Sequence, residues 1–305
     1  MLNPDGPIQP HRQYAGSTSM QPDYAPIWHW VRERERIRLR KERGERPPWT
    51  DDPILSAYRF CNVRREDDRV TIWVRQNIRE PFADHPYLWL MLCIARQINW
   101  PGTLAHLIAT GAWPRTDNVD FLSAMVHELN AWQARGEKVY TGAYMIPAPA
   151  EKGADKQAYI ARKVIGALWE RRDSFSDWKN LTLRRTHELI MRSDGWGPFL
   201  AYQAVVDMRF TALLRNAQDV RTWAAAGPGT IRGLNRVHGR ALDFRLSQAQ
   251  ALTEMRAIYD VAHAETGVAM DFSDVPNILC ETDKYLRVQL GQGRPRARYV
   301  AGRGS

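Results

Sequence analysis

Three observations predict an all-α protein. Apolar residues recur with a period near 3.6 along most of the chain, glycine and proline punctuate these stretches at short intervals, and a single short segment reads as a strand. Residues 1–26 carry Pro4, Pro7, Pro10, Pro22 and Pro26 among polar side chains, the composition of a flexible tail. Between Arg32 and Arg46 there are eight basic and four acidic side chains, a local net of +4. Alternating signs of this kind suit a solvated helix with i,i+4 pairs, or equally an arm that faces phosphates.

After the Pro47-Pro48 break, Asp51 or Asp52 can cap a helix that opens at Pro53 and places Ile54, Leu55 and Tyr58 on one face. Further helices are predicted over 68–79 and 85–98, after Pro101-Gly102, and over 120–135, where Phe121, Leu122, Met125, Val126, Leu129 and Trp132 keep the helical period. Val139 to Ile146 is the strand candidate, bounded by Pro147 and Pro149, and is expected to form at most a small ribbon. Helical periodicity returns over 155–172, 181–192, 198–214, 247–264 and 274–290. No interval repeats, which disfavours a solenoid. The end, from Gly293, reads as a basic tail.

Composition narrows the function. The 305 residues hold 43 Lys and Arg against 34 Asp and Glu, a net charge of +9, with 44% hydrophobic side chains. These are globular proportions, and the positive surplus favours a polyanionic partner. The apolar run from Tyr87 to Ala95 is far shorter than the roughly 20 residues of a membrane span. The first 21 residues have no apolar core of a secretion signal. Cys61, Cys93 and Cys280 are too widely spaced for a CxxC metal site or a disulfide framework, so a reducing setting is expected.

Two glycine turns stand out. In Ser193-Asp194-Gly195-Trp196-Gly197-Pro198 a helix ends and another opens, as in helix-hairpin-helix units. Glycine there permits positive φ and close approach of backbone amides to a DNA phosphate, a contact that reads backbone and not sequence. Ala226-Gly227-Pro228-Gly229-Thr230-Ile231-Arg232 offers a second such opening, with Arg232 and Arg236 nearby. It is no ATP-binding P-loop, because no G-K-[ST] follows. A short helical hairpin and an ordinary helix cap carry the same pattern.

Four ordered segments together resemble one family. Tyr58-Arg59-Phe60-Cys61-Asn62-Val63-Arg64-Arg65-Glu66-Asp67-Asp68-Arg69-Val70-Thr71 is similar to its R-F-x-N-V-x-R-x-x-D-R-[VS] signature, and Gly197 to Gln203 with Asp207 to its G-x-F-x-A-Y-Q-x-x-x-D block. The Ala226 to Leu234 run follows, and Leu279 to Arg287 resembles an L-C-E-x-D-K-Y-x-R block. The family is the α-glutamyl/putrescinyl thymine pyrophosphorylases of bacteriophages, or amino acid:DNA transferases. Related helical domains occur in 5-hydroxymethyluracil DNA kinases. The resemblance spans about residues 27–290.

What it implies is a DNA glycosylase-like helical fold over 27–290, alternatively in two lobes at 47–150 and 151–290, working in the cytoplasm of an infected host. Its substrate would be double-stranded phage DNA in which a kinase has activated 5-hydroxymethyluracil as a pyrophosphate. An amine of glycine, glutamate or putrescine would replace that pyrophosphate. The absence of a P-loop favours a transferase over the helical half of a fused kinase.

The residue assignments that the resemblance implies follow the chemistry. Arg59, Arg65, Arg69, Arg287 and Lys284 would meet the leaving anion, with Asn62 and Asp68 beside them and Mg²⁺ as an optional partner. Asp207, Asp219, Asp283 or Glu281 would accept the proton of the incoming ammonium. Gly195, Trp196, Gly197, Tyr202, Gln203, Gly227, Gly229 and Arg232 would face DNA, with Trp196, Tyr202, Trp223 and Tyr285 as stacking candidates. Each has a plainer alternative: the arginines as interhelical ion pairs, the aspartates as helix caps, the aromatics as core. The rival functions are a non-catalytic DNA-binding protein, a glycosylase that excises the modified base, and an accessory protein of the kinase.

Overall fold

A computed structural model describes residues 21–117, 120–151, 153–293 and 295. Of the two expected tails, residues 1–20 and 296–305 lie outside the described residues, while Ala25 already opens the first helix. The architecture is all-α. In chain order the helices are α1 (Ala25–Glu42), α2 (Pro53–Ala57), α3 (Arg69–Val74), α4 (Leu88–Ile98), α5 (Pro101–Ala109), α6 (Phe121–Ala134) and α7 (Lys156–Ala158). They continue as α8 (Gly166–Glu170), α9 (Leu183–Met191), α10 (Pro198–Arg209), α11 (Pro228–Val237), α12 (Gln248–Thr266) and α13 (Val275–Gln289). A π-helical turn at Arg75–Arg79 extends α3, and another at Tyr159–Ile165 joins α7 to α8.

Local chemistry sets the helix starts. Asp52 accepts hydrogen bonds from the amides of Ile54 and Leu55 and so caps α2, with Pro53 at the position where the missing N–H costs nothing. Ser247 and Gln250 form a reciprocal capping box on α12, and Gly267 ends that helix in the left-handed conformation at φ 70°. Thr211 Oγ1 donates to the Met208 carbonyl beside the end of α10, which stops at Arg209 and so falls short of the expected 214.

The expected ribbon at 139–146 does not form, and no sheet occurs among the described residues. The segment has no strand to pair with. Its backbone is met by helices instead: Thr141 N donates to the Ile98 carbonyl at the end of α4, and Thr103 Oγ1 of α5 donates to the carbonyls of Lys138 and Val139.

Two apolar cores organise the body, and they do not divide the chain near residue 150. The first gathers α4, the 159–165 turn, α9 and most of α10 around Trp89, Met91, Phe121 and Val164. The second gathers α1, α11, α12 and α13 around Ile27, Trp30, Leu234, Met255 and Leu279. Helix α10 belongs to both, sending Leu200, Ala204 and Val205 into the first core and Tyr202 and Val206 into the second. Both ends of the described body return to the close of α11: Asp23 N donates to the Val237 carbonyl at 2.7 Å, and Arg236 donates to Gln292 Oε1 at 2.8 Å.

Candidate functional site

The four sequence blocks, scattered over more than two hundred residues, meet in space. The first lies between α2 and α3 and is held from several sides. Arg34 of α1 donates to the Cys61 carbonyl at 2.9 Å, and the Cys61 amide donates to Glu281 Oε2 of α13 at 3.0 Å. Asp68 Oδ1 accepts from the Asn62 amide, while the Asn62 side chain donates to the Asp67 carbonyl. One N–H of the Asn62 side chain is therefore used to shape this segment. Glu66 accepts a fork from Arg79, which anchors the segment to the 75–79 turn.

Arg65 connects the first block to the second. Its amide donates to Asp274 Oδ1 at 2.9 Å, its guanidinium donates to both the side-chain and backbone oxygens of Gln203, and its Nε lies 3.8 Å from Asp207. Gln203 Oε1 also accepts from the Tyr144 hydroxyl at 3.4 Å. Phe199, Gln203 and Asp207 follow one another at four-residue intervals on α10, so one helix face runs from solvent to interior.

Asp207 itself sits at 0% exposure, gripped by the fork of Arg96 from α4, which also donates to Asn99 and Thr71. Burial opposes its charge, but Arg96 and then Arg65 overcome that and hold the carboxyl below its usual range. Asp207 is thus enclosed and gripped by Arg96, an arrangement that ties α10 to α4 and leaves the carboxylate with no open approach. Two other carboxyls in the cluster behave differently. Burial pushes Asp68 up to about 6, against the hydrogen bond from the Asn62 amide and the charges of Arg65 and Arg34. Burial likewise pushes Asp274 up to about 7, against its bonds from the Arg65 and Asp271 amides.

The fourth block supplies Glu281 and Lys284, joined at 2.8 Å, with the ammonium 4.4 Å from the Phe60 ring centre. Arg59 and Arg69 carry exposed guanidinium groups with no partner among the described residues. Asp283 is taken by Arg232 and Arg236 of α11, at 2.9 and 2.7 Å, which makes Arg232 part of an interhelical pair. The Arg287 Nε is enclosed without a hydrogen-bond partner.

Several expected members belong elsewhere. Asp219 accepts from the Leu183 and Arg184 amides and caps α9 from outside, as its plainer alternative anticipated. Trp196 is 3% exposed and donates its indole N–H to the Val164 carbonyl, and Tyr202 is 7% exposed; both are core residues and do not present faces to DNA. Tyr285 donates to Asp52 at 2.7 Å and is also buried. Gly229 does not line an open phosphate loop on its side-chain face. A Cβ there would lie 3.2 Å from the Cys280 Cβ, and one at Gly233 would lie 2.9 Å from the Leu279 carbonyl carbon, so these glycines let α11 and α13 touch. Of the two readings of the basic run, the ion pairs match the helix with paired charges: Arg36, Arg38, Arg40 and Arg43, on α1 or just past its end, pair with Glu33, Glu35, Glu42, Glu45 and Asp67.

Gly195, at φ +79°, packs against Val164, while Gly197 and Gly227 are the N-caps of α10 and α11 with open space around them. Two surface hollows lie apart from the four-block cluster, one of about 300 Å³ beside Phe82 and Trp113 and one of about 490 Å³ beside Asn130 and Tyr140. Among the described residues no group of three or more His, Cys, Asp or Glu side chains is placed to hold a metal ion. No helix among them is long and apolar enough to cross a membrane.

Sequence reasoning missed Arg34, Arg96, Tyr144 and Asp274. Arg96 carried a usable signal, a lone charge closing an otherwise apolar helix, which in a core demands a partner.

Known proteins give the cluster a context. The model of the 5-hmdU DNA kinase helical domain matches residues 21–294. A 5-hmdU DNA kinase of Bacillus phage SP10 is 28% identical over 225 residues, 67% of this chain and 34% of the relative, so the chain spans about a third of that protein's length. No solved structure matches. With all four blocks inside the matched span, the chain belongs to the family of the 5-hmdU DNA kinase helical domain.

Proposed function

We propose that this chain is a phage enzyme of thymine hypermodification, which binds double-stranded DNA carrying 5-hydroxymethyluracil activated as a pyrophosphate and replaces that pyrophosphate with an amine. The observation that carries the reading is that the four blocks meet in sequence-distant contacts, Arg65 with Gln203, Cys61 with Glu281 and Arg232 with Asp283, with the unpaired cations Arg59 and Arg69 and the Glu281–Lys284 pair on the first segment or its direct contact. Kinship with a 5-hmdU DNA kinase supports the modified base as substrate and a functional coupling to such a kinase.

In this reading the amine nitrogen of glycine, glutamate or putrescine bonds to the 5-methylene carbon of the uracil. The carbon–oxygen bond to the leaving group breaks, and pyrophosphate departs with the electron pair. Arg59, Arg69, Arg287 and Lys284 meet the negative charge that develops on it. The amine must first lose a proton. Asp68, at about 6, has the basicity for this near neutral pH, and Glu281 is the alternative acceptor. A Mg²⁺ would have to arrive on the pyrophosphate oxygens, as this hard cation commonly does, and no step here depends on it.

A second reading is favoured by one fact, that the matched region makes up only 34% of the phage relative. In it the helical body only binds and presents modified DNA, and phosphoryl chemistry belongs to another part of a kinase. Incubation of the protein with kinase-treated 5-hydroxymethyluracil DNA and a panel of amino acids and polyamines, followed by nucleoside mass analysis, separates the two. The transferase yields a new aminomethyl nucleoside and free pyrophosphate, and Lys284→Ala lowers the yield by about 10²-fold. DNA binding without a new nucleoside for any amine leaves the presentation reading; abasic sites would indicate a glycosylase.

A further inference from the structure

Two large apolar side chains stand in solvent beside the cluster. Phe199, in the first turn of α10, is 54% exposed, and Met145, in the irregular segment after Val139, is 94% exposed. Tyr144, the residue before Met145, links the two segments: its ring meets Phe199 edge-on at 5.1 Å and 83° while its hydroxyl donates to Gln203. Gln203 in turn accepts from Arg65, so the apolar prominence and the polar cluster share one face of α10. Scattered single apolar residues are ordinary on a protein surface, but here an exposed phenylalanine is braced by Tyr144, whose chain neighbour Met145 is exposed as well, and the bracing makes a built feature.

Exposed cations stand near it, alongside the exposed carboxylate of Asp194. Val164 packs against Gly195 and its carbonyl accepts from Trp196, which places the exposed Arg162 and Lys163 of the 159–165 turn beside the loop that leads into α10. Arg192 begins that loop and is also exposed. An apolar prong with positive charge nearby complements a nucleic-acid groove, where cations meet phosphates and Phe or Met side chains enter between base steps.

Resting on the reading that the chain acts on DNA, we propose that Phe199 and Met145 form a wedge that enters the base stack beside the modified uracil and holds that nucleotide turned out of the duplex. Tyr144, Gln203 and Arg65 then line the way from the wedge to the cluster. The wedge acts on the DNA stack and makes no bond to the reacting carbon, so both residues are positioning residues.

The test uses the full chain and a duplex with kinase-activated 5-hydroxymethyluracil next to a 2-aminopurine, whose emission rises when it loses its stacking partner. Binding is followed by anisotropy on the same samples. The wild type is expected to bind and to raise the emission. Phe199→Ala and Met145→Ala, both at exposed positions, are expected to bind within about threefold while the rise shrinks by about tenfold. Binding by the wild type without a rise, or variants that keep the full rise, overturns the wedge and leaves the DNA reading standing. No binding to the duplex defeats the DNA reading and the wedge with it. A sedimentation shift from dimer to monomer in the variants, with emission unchanged, would make the patch a self-association surface and overturn the wedge.

Discussion

Helices α10 and α11 open on the same dipeptide, Gly-Pro, with nearly the same cap geometry: φ −73° and ψ 166° at Gly197, φ −81° and ψ 176° at Gly227. Their surroundings differ. The first opening is a surface, with Gly197, Pro198 and Phe199 exposed and Gly195 needed for its positive φ. The second is a seam, in which Gly229 and Gly233 remove side chains so that α13 can come close. A glycine-rich helix start therefore admits backbone approach to a ligand or to another helix, and only the packing decides which.

Each region is backed by an aspartate, and removing it gives the largest expected contrast. Asp207→Ala would leave the enclosed Arg96 guanidinium unpaired and should cost about 3–5 kcal/mol. Asp283→Ala should cost less, about 1–2 kcal/mol, because Arg232 keeps access to water and the more enclosed Arg236 keeps Gln292 as a partner. Urea unfolding of both variants measures this; equal losses would mean that the α11–α13 pair is as thoroughly desolvated as the α10 anchor.

Glycine replacement sharpens the comparison further. Gly233→Ala drives a methyl into the Leu279 backbone and should lose about 3 kcal/mol, whereas Gly195→Ala strains φ and presses on Val164, which can turn, for about 2 kcal/mol. At Gly197 and Gly227, where space is open and φ ordinary, alanine should change stability by only about 0.5–1 kcal/mol. A Gly227→Ala loss as large as that of Gly233→Ala in thermal or urea melts would erase the distinction between cap and seam.

A pH-dependent contrast concerns the two carboxyls on either side of Arg65. Asp207 stays ionised, but Asp274 has its pKa raised from 3.8 to about 7, so the folded state holds a proton that the unfolded chain releases. Its stabilising contribution is complete below pH 3.8 and is lost as the pH rises to about 7, on the order of 1 kcal/mol per pH unit through that window. Urea midpoints of the wild type should fall between pH 5 and pH 8, and Asp274→Asn should flatten that decline; an unchanged slope in the variant would remove Asp274 as its source.

The sequence revealed the helix starts because they are local events: Asp52 with Pro53, Ser247 with Gln250, and the two Gly-Pro openings need only neighbours within a turn. The site was legible as four blocks and less so as roles. Arg65 finds Asp274 across 209 positions, and Trp196 finds Val164 across 32, distances at which periodicity carries no information. The signs on α1 were readable, but their mutual neutralisation depends on which rotamers meet, and Val139 to Ile146 keeps a strand's composition while lacking a strand to pair with.

The return of both ends of the described body to the last turn of α11 has an architectural consequence. A body whose entrance at Asp23 and exit at Gln292 are neighbours can be inserted into a longer polypeptide as one graft, since neither junction has to cross the folded mass. The matched region fills about a third of the phage kinase, and a body with adjoining ends is well suited to being carried as one part of a longer polypeptide.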